Sequence, residues 1–503
     1  MSWFAGLQQW LSRPNNQLLA LLVLAAFPLY YELGRNPVQL WDESRLAVNA
    51  AEMARDGHWL VPHFDGSPDH WNTKPPLLIW LEALSFKAFG YSTWALRLPT
   101  LVATLTTIFL LFRFAANSLG RPLAGFFAGI LLVTCTGYVR LHVARTADYD
   151  ALLTCWQVVL WTTFFEYLET GQRRHLTWAA IALIAATFTK GPAGLLGLPG
   201  LAAYALIRGK LGWLLRQPST YVAAGSWLVL AGGYLILRER LDPGYIQAMR
   251  ANDAGGRFLT VIEGHSSSWT YYLNNLAESL FTQWLWAVIP ALLLCWLQPA
   301  ARVRWAGALL ALFIAGWLAV ISTAQSKLAW YDAPIYPALA LVVGLGMSLL
   351  YQDLGTLYLP KVGRLKGWFL QGALFVSLFY GGYYTITHQL VEERHSDFGQ
   401  GPDGHLGRYV DKISKEEAGL SDISILTEGG VYPVLQYYKI QFEDQHGRHL
   451  TMTNNRDVRN APIGAGRVVV VCDPAYRVPL DSAFKIMELH QDFPCQTLLL
   501  LPR

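Results

Sequence analysis

The chain has 503 residues, a mean hydropathy of +0.27 and only 15% charged residues, where a soluble chain of this length carries about a quarter. A formal charge of +4 without any Lys/Arg cluster excludes a nucleic-acid-binding surface. Long apolar blocks, with 20 Trp and 24 Tyr suited to interfacial belts, exclude an ordinary soluble domain and point to a polytopic membrane protein.

The apolar blocks place about eleven spans in chain order, near 17–31, 93–114, 123–138, 151–167, 176–188, 193–207, 221–237, 273–297, 305–321, 333–350 and 368–387. No small-residue cleavage site follows the first block, so it is expected to be retained as a span rather than removed as a signal. One set of short loops holds Arg13, Arg113 and Arg121, Arg173 and Arg174, Arg208, Lys210 and Arg216, Arg302 and Arg304, then Lys361, Arg364 and Lys366. Nearly pure basic loops face the cytoplasm. The opposite loops (32–92, 139–150, 190–192, 238–272 and 322–332) then lie outside, as does the tail from about His388.

The long first loop carries two expected helices. Asp42 is placed as an N-cap, with Leu46, Ala50, Met53 and Ala54 following at helical spacing before Gly57. A second helix starts at Pro75 and Pro76, shows Leu77, Leu81, Leu84 and Ala88 as one stripe, and ends at Gly90. Such helices lie on the membrane surface. In the tail, 423–427, 467–472 and 497–501 are strand candidates, while 406–413 and 482–489 are helix candidates. The expected class is therefore a mainly α membrane helix bundle (1–387) with a small α/β domain (388–503). Cys135, Cys155 and Cys295 fall in spans, while Cys472 and Cys495 can pair if the tail meets an oxidising compartment.

The polar motifs gather on the outer loops, whereas a transporter needs charge and broken helices near the midplane. That pattern fits chemistry on a lipid head group at the membrane surface. Asp42 and Glu43 open the first-loop helix with Arg45 close behind; helix capping is the plain alternative for the acids. Lys74, directly before Pro75, can aim its ammonium at an anion beside a helix N-terminus, or simply anchor the chain at the interface. Arg145, Asp148 and Asp150 form a third group, open also to reading as a local ion pair. Further on come Arg250, Asp253, Arg257, Glu263 and His265, then Lys327, Tyr331 and Asp332. Cations, a phenol and carboxylates on one face are what transfer from a phosphate-linked donor requires. Outer histidines show no tight ligand spacing, so no protein metal site is assigned.

In order, these motifs resemble the GT-C glycosyltransferases, and within them the bacterial aminoarabinose-transferase and protein-mannosyltransferase-like family. The matching residues are Trp41 to Arg45, Lys74 to Leu78, Arg145 and Thr146 with Asp150 to Thr154, Thr189 to Pro192, Arg257 to Leu259 with Gly264 and His265, and Ser326 to Pro334. Thr73 stands where the family usually has an acid, and Ala329 and Ala333 replace expected Pro and Leu. The resemblance implies a polyprenyl-phosphate-linked sugar donor, a lipid, glycan or protein acceptor, and inversion at the anomeric carbon. It implies Asp42 as the base, with Glu43 the second catalytic candidate. Lys74, Arg257 and Tyr331 are the implied phosphate ligands, and Arg45, Arg145, Asp150, His265 and Lys327 complete the substrate-binding set. A divalent cation is compatible with this chemistry but not required by it. A lipid-linked-sugar flippase is the alternative, and a non-catalytic scaffold a third.

Overall fold

A computed structural model describes residues 10, 12–39, 42–140, 142–362, 364–393, 402–416, 420, 422–427, 433–454 and 463–503. Trp41 of the first motif lies outside them. The main helices, in chain order, are α1 (Pro14–Tyr30), α2 (Asp42–Asp56), α3 (Leu77–Phe89), α4 (Thr93–Arg113), α5 (Pro122–Val133), α6 (Tyr149–Thr170), α7 (Arg173–Lys190), α8 (Leu198–Ile207), α9 (Pro218–Trp227) and α10 (Gly233–Leu241). They continue with α11 (Thr282–Leu297), α12 (Ala301–Thr323), α13 (Tyr336–Val362), α14 (Arg364–Glu393), α15 (Pro402–Glu416), α16 (Pro433–His446) and α17 (Arg477–Ala483). Shorter helical turns link several of them.

Among the described residues, five helical stretches are long and apolar enough to cross a membrane: Thr93–Ser118, Arg173–Leu195, Pro218–Leu241, Ala301–Thr323 and Ala329–Gln352. A sixth arises if Tyr271–Leu280 and Thr282–Leu297, bent by 114°, form one broken span. The other expected spans also fall on helices, α5 and α8 being short apolar ones, and eleven stands as an expectation.

The chain divides into two compact units. The first comprises Met1–Tyr31, His70–Leu78 and Pro99–Leu390. In it α6 packs along α7, α5 along α13 and α8 along α12. Small residues permit this closeness, as in membrane bundles generally. A Cβ on Gly200 would lie 2.5 Å from the Leu312 carbonyl oxygen, and one on Gly344 2.6 Å from that of Ala124.

The second unit comprises Glu32–Asp69, Ile79–Leu98 and Val391–Arg503. Helix α2 runs as the spacing predicts, burying Leu46, Ala50, Met53 and Ala54, and Gly57 releases it at φ +78°. The hairpin of β1 (His63–Phe64) and β2 (Ser67–Pro68) follows. The tail adds β3 (Asp422–Thr427), β4 (His449–Asn454), β5 (Val468–Val471), β6 (Lys485–Asp492) and β7 (Cys495–Leu501). Their order is β4-β3-β5-β7-β6, with β3 parallel to both neighbours and β7 antiparallel to both of its own. Leu426, Val469, Val471, Leu480, Leu498 and Leu500 form the core. Cys472 and Cys495 are joined, and Cys135, Cys155 and Cys295 are buried free thiols.

Two first-loop segments belong to the unit that holds the tail. Helix α16 packs on α2, Gln436 Nε2 donates to Asp65 Oδ1 at 2.8 Å, and Gln441 Nε2 donates to the Tyr91 carbonyl at 2.9 Å. One tail expectation fails. Residues 482–489, expected as a helix, hold the end of α17 and most of β6. Antiparallel pairing with β7 satisfies that backbone, while Phe484 and Ile486, two apart, turn onto the core. Single-sequence periodicity cannot see a partner strand. Helix α16 and strand β4 were not anticipated.

Candidate functional site

In the first unit the polar motifs converge on the start of α6 and the end of α7. Asp148, in extended backbone, caps α6 by accepting the Tyr149 N–H at 2.7 Å. That cap puts Asp150 in the first turn. Helix α7 ends at Lys190 because Gly191 takes φ +56°. The Lys190 ammonium meets both oxygens of Asp150 at 2.6 Å, with side chains 10% and 1% exposed. It also lies 5.4 Å from the centre of the Tyr331 ring. Arg257 donates to the Tyr331 hydroxyl at 3.4 Å and lies 3.6 Å from Glu263. Lys74 lies 5.6 Å from the centre of the Tyr149 ring and 3.6 Å from Asp253. Lys74, Tyr149, Asp150, Lys190, Tyr331 and Arg257 thus form a linked row of cations, phenols and one buried carboxylate.

Neighbouring contacts stiffen that row. Tyr149 donates its hydroxyl to Asn72 at 2.9 Å, and Tyr245 donates to the Thr73 carbonyl at 2.8 Å. Thr73 donates its hydroxyl to Asp253. The His142 ring stacks on Trp330 at 3.8 Å while one ring nitrogen lies 2.7 Å from Asp148. His142 holds φ +50°, a costly conformation for a residue with a Cβ. Burial pushes the Asp148 carboxyl upward, but the hydrogen bond and charge of His142, with Lys190 and the Tyr149 N–H, bring it below its ordinary value. For Arg257, burial opposes the charged form, and Tyr331 with Glu263 more than offset it, so its pKa is raised.

Three other expected ligands in this unit have contacts of their own. Arg145 donates to the Pro28 and Tyr31 carbonyls at 3.0 and 2.8 Å, closing the C-terminal end of α1. Lys327 is buried and donates to the Ala324 carbonyl at 2.6 Å, just past α12. The His265 ring lies 3.6 Å from Glu263, and its carbonyl accepts the Lys327 N–H at 2.9 Å.

In the second unit, Asp42 opens α2 and is half-buried. Glu43, expected as a second catalytic carboxylate, is buried against Arg97. Both its oxygens meet Arg97, at 2.6 and 2.8 Å, and one also accepts the Gln39 N–H at 2.7 Å. A carboxylate so engaged anchors the helix start. Arg45 is likewise committed, with a two-pronged pair to Asp69 at 2.9 and 2.7 Å and its guanidinium 3.7 Å from the Phe64 ring centre.

Lys190 and His142 had no expected site role, and Asp148 and Asp253 stood in the candidate groups without one. Lys190 had a signal, since it sits in the Thr189 to Pro192 motif. The others acquire partners only through folding.

Residues 73–236, a third of the chain, match the sequence profile of the dolichyl-phosphate-mannose-protein mannosyltransferases. The structure resembles ArnT from Cupriavidus metallidurans bound to undecaprenyl phosphate over 96% of this chain and 97% of that one, with a TM-score of 0.67 and 17% identity. The fold is of the GT-C type. The structure also resembles the Archaeoglobus fulgidus oligosaccharyltransferase tethered with an acceptor peptide, with a TM-score of 0.54 and 13% identity over 92% of this chain and 70% of that one. By sequence it is 29% identical over 333 residues to an undecaprenyl phosphate-alpha-4-amino-4-deoxy-L-arabinose arabinosyl transferase of Pseudomonas fluorescens, covering 64% of this chain and 58% of the relative. A Pseudomonas aeruginosa transferase of the same name is 28% identical over 331 residues, with the same coverages. The chain spans less than two thirds of the length of these curated relatives.

Proposed function

We propose that this chain is an integral membrane glycosyltransferase that moves a sugar from a polyprenyl-phosphate donor to an acceptor hydroxyl at the periplasmic face, with inversion. The row from Lys74 through Lys190 to Arg257 is the observation that carries this reading. The Lys74 and Arg257 cations and the Tyr331 phenol suit an anion whose charge grows as its bond to the anomeric carbon breaks. The ligand of the similar ArnT structure, undecaprenyl phosphate, supports the donor class. In this scheme Lys74, Arg257 and Tyr331 hold the donor phosphate, and the buried Asp150–Lys190 pair fixes the α6 and α7 ends that frame them. Asp42 takes the acceptor proton. The acceptor oxygen forms its bond to the anomeric carbon, and the donor phosphate leaves with the electron pair. Glu43 and Arg97 position Asp42 through the start of α2. The basic short loops support a cytoplasmic assignment for one face. The joined Cys472 and Cys495 support an oxidising compartment for the tail.

The test is sugar transfer from purified polyprenyl-phosphate-linked donor, measured alongside donor binding. Asp42→Asn keeps the side chain's size and one oxygen, so expression and donor affinity should hold. Turnover should fall by about 100- to 10,000-fold. Near-normal turnover in Asp42→Asn would reject Asp42 as the base, and no transfer by the wild-type protein to any lipid, glycan or protein acceptor would reject the function.

A further inference from the structure

Two cations assigned to the donor phosphate already face carboxylates, in pairs that stop short of contact. The Lys74 ammonium lies 3.6 Å from Asp253, and the Arg257 guanidinium 3.6 Å from Glu263. Several pairs are in contact, at 2.6 Å for Lys190 with Asp150, 2.7 Å for Arg45 with Asp69, 2.6 Å for Arg97 with Glu43 and 2.7 Å for Arg302 with Glu166, while longer pairs away from the row include Arg238 with Asp242 at 3.4 Å and Arg477 with Glu488 at 3.9 Å. The added ångström matters. At 2.6–2.7 Å the pair includes a charge-assisted hydrogen bond; at 3.6 Å it does not, and only a screened attraction remains. The contact pairs are framework, while the two long pairs exchange partners cheaply.

Both carboxylates belong to one segment, which also carries Arg257. It begins with the π-helical turn Arg250–Ala254, continues through Gly256–Leu259, and reaches Glu263 at φ +55° beside Gly264 at φ +74°. Its backbone is pinned independently of the ion pairs. Ser326 N–H donates to the Arg257 carbonyl at 3.0 Å, Gln325 N–H to that of Phe258 at 3.1 Å, and Lys327 N–H to that of His265 at 2.9 Å. Asn252 donates to the His70 carbonyl at 3.1 Å. Backbone bonds thus hold the stretch that carries Glu263, and the Asn252 side chain holds the turn that carries Asp253, whether or not the carboxylates pair.

We propose that Asp253 and Glu263 are stand-ins for the phosphate, displaced when donor binds and returning to Lys74 and Arg257 to expel the product. The proposal rests on the donor reading above. Its chemical motive is the change of charge across transfer. The donor is a phosphodiester with one negative charge. The product is a phosphate monoester, which carries about 1.5 to 2 negative charges at neutral pH. A pocket whose cations stabilise developing charge therefore holds product more tightly than donor, unless something competes for those cations. Two tethered carboxylates at 3.6 Å supply that competition without filling the site with contact pairs.

The test uses the full-length protein in detergent, with polyprenyl phosphate and its methyl diester as probes. Asp253→Asn keeps an oxygen for the Thr73 hydroxyl and removes the charge. It should bind the monoester about three- to tenfold more tightly, and gain less for the diester. Glu263→Gln should change in the same direction by about two- to fivefold, because Glu263 is half exposed. In steady-state transfer both variants should lose kcat while kcat/KM holds or rises, because release slows and capture does not. Lys74→Ala serves as the reference and should weaken both probes. If Lys74→Ala weakens binding but both acid variants bind the monoester no better than wild type, or worse, the stand-in role is overturned and the donor reading survives. If Lys74→Ala leaves binding unchanged, both are overturned.

Discussion

Arg97→Met tests the anchor beneath the proposed base. Arg97 and Glu43 are each 2% exposed and share two hydrogen bonds of 2.6 and 2.8 Å. Arg97 also donates to the carbonyls of Leu33, Asn36 and Pro37 at 2.7, 3.1 and 3.1 Å. It therefore ties the turn after α1 to the first turn of α2. Removing one partner of a buried pair costs about 3–5 kcal/mol, because the other charge is left without compensation. Arg97→Met should fall in that range, a loss of roughly a hundred- to several-thousand-fold in the folding equilibrium. Glu43→Gln should cost less, about 1.5–3 kcal/mol, since the amide oxygen still accepts from Arg97 and the three carbonyls keep their donor. The double variant should be less damaging than the sum of the two, by about 1–3 kcal/mol, because the second change removes a group already orphaned by the first. Denaturant unfolding of the purified protein in detergent reads all three. Additive losses, or an unchanged midpoint in Arg97→Met, would refute the idea that this pair carries the start of α2. Glu43→Gln is for the same reason no neutral control for Asp42→Asn.

Lys190→Met should destabilise by about 3–5 kcal/mol by orphaning Asp150; adding Asp150→Asn should recover part of the unfolding midpoint and part of sugar transfer with it, and a recovered midpoint without any transfer would show that Lys190 does more than frame the site. Asp148 has a depressed pKa in the folded state, so its contribution is present above the ordinary carboxylate range and lost as pH falls through the depressed value. The wild-type melting temperature should therefore drop on acidification through and below that range more steeply than in Asp148→Asn, and parallel curves would contradict the His142–Asp148 account. A reporter fused after Arg503 should read as periplasmic and one within 208–216 as cytoplasmic, with Cys472 and Cys495 labelled by a thiol reagent only after reduction; the reverse pattern would invert every loop assignment.

Much of this protein was legible along the chain. Apolar blocks declare a membrane bundle because the bilayer sets a length for them. Gly57 and Gly90 end their helices at positive φ where the spacing predicts, since local backbone chemistry decides such stops. Three tail strands also announced themselves through apolar runs. Residue types told less about roles. Arg145, Lys327, Arg45 and Glu43 have the charge of ligands, yet folding commits them to the Pro28 and Tyr31 carbonyls, the Ala324 carbonyl, Asp69 and Arg97. The 482–489 segment became a strand because β7 completes its hydrogen bonds. Asp253 came to lie beside Lys74, 179 positions earlier in the chain, through the fold of the first unit. Periodicity and capping act within a few residues and are written locally. Which charge a buried cation meets depends on elements distant in sequence, and burial makes that choice compulsory, because an unpaired charge out of water is too costly to keep.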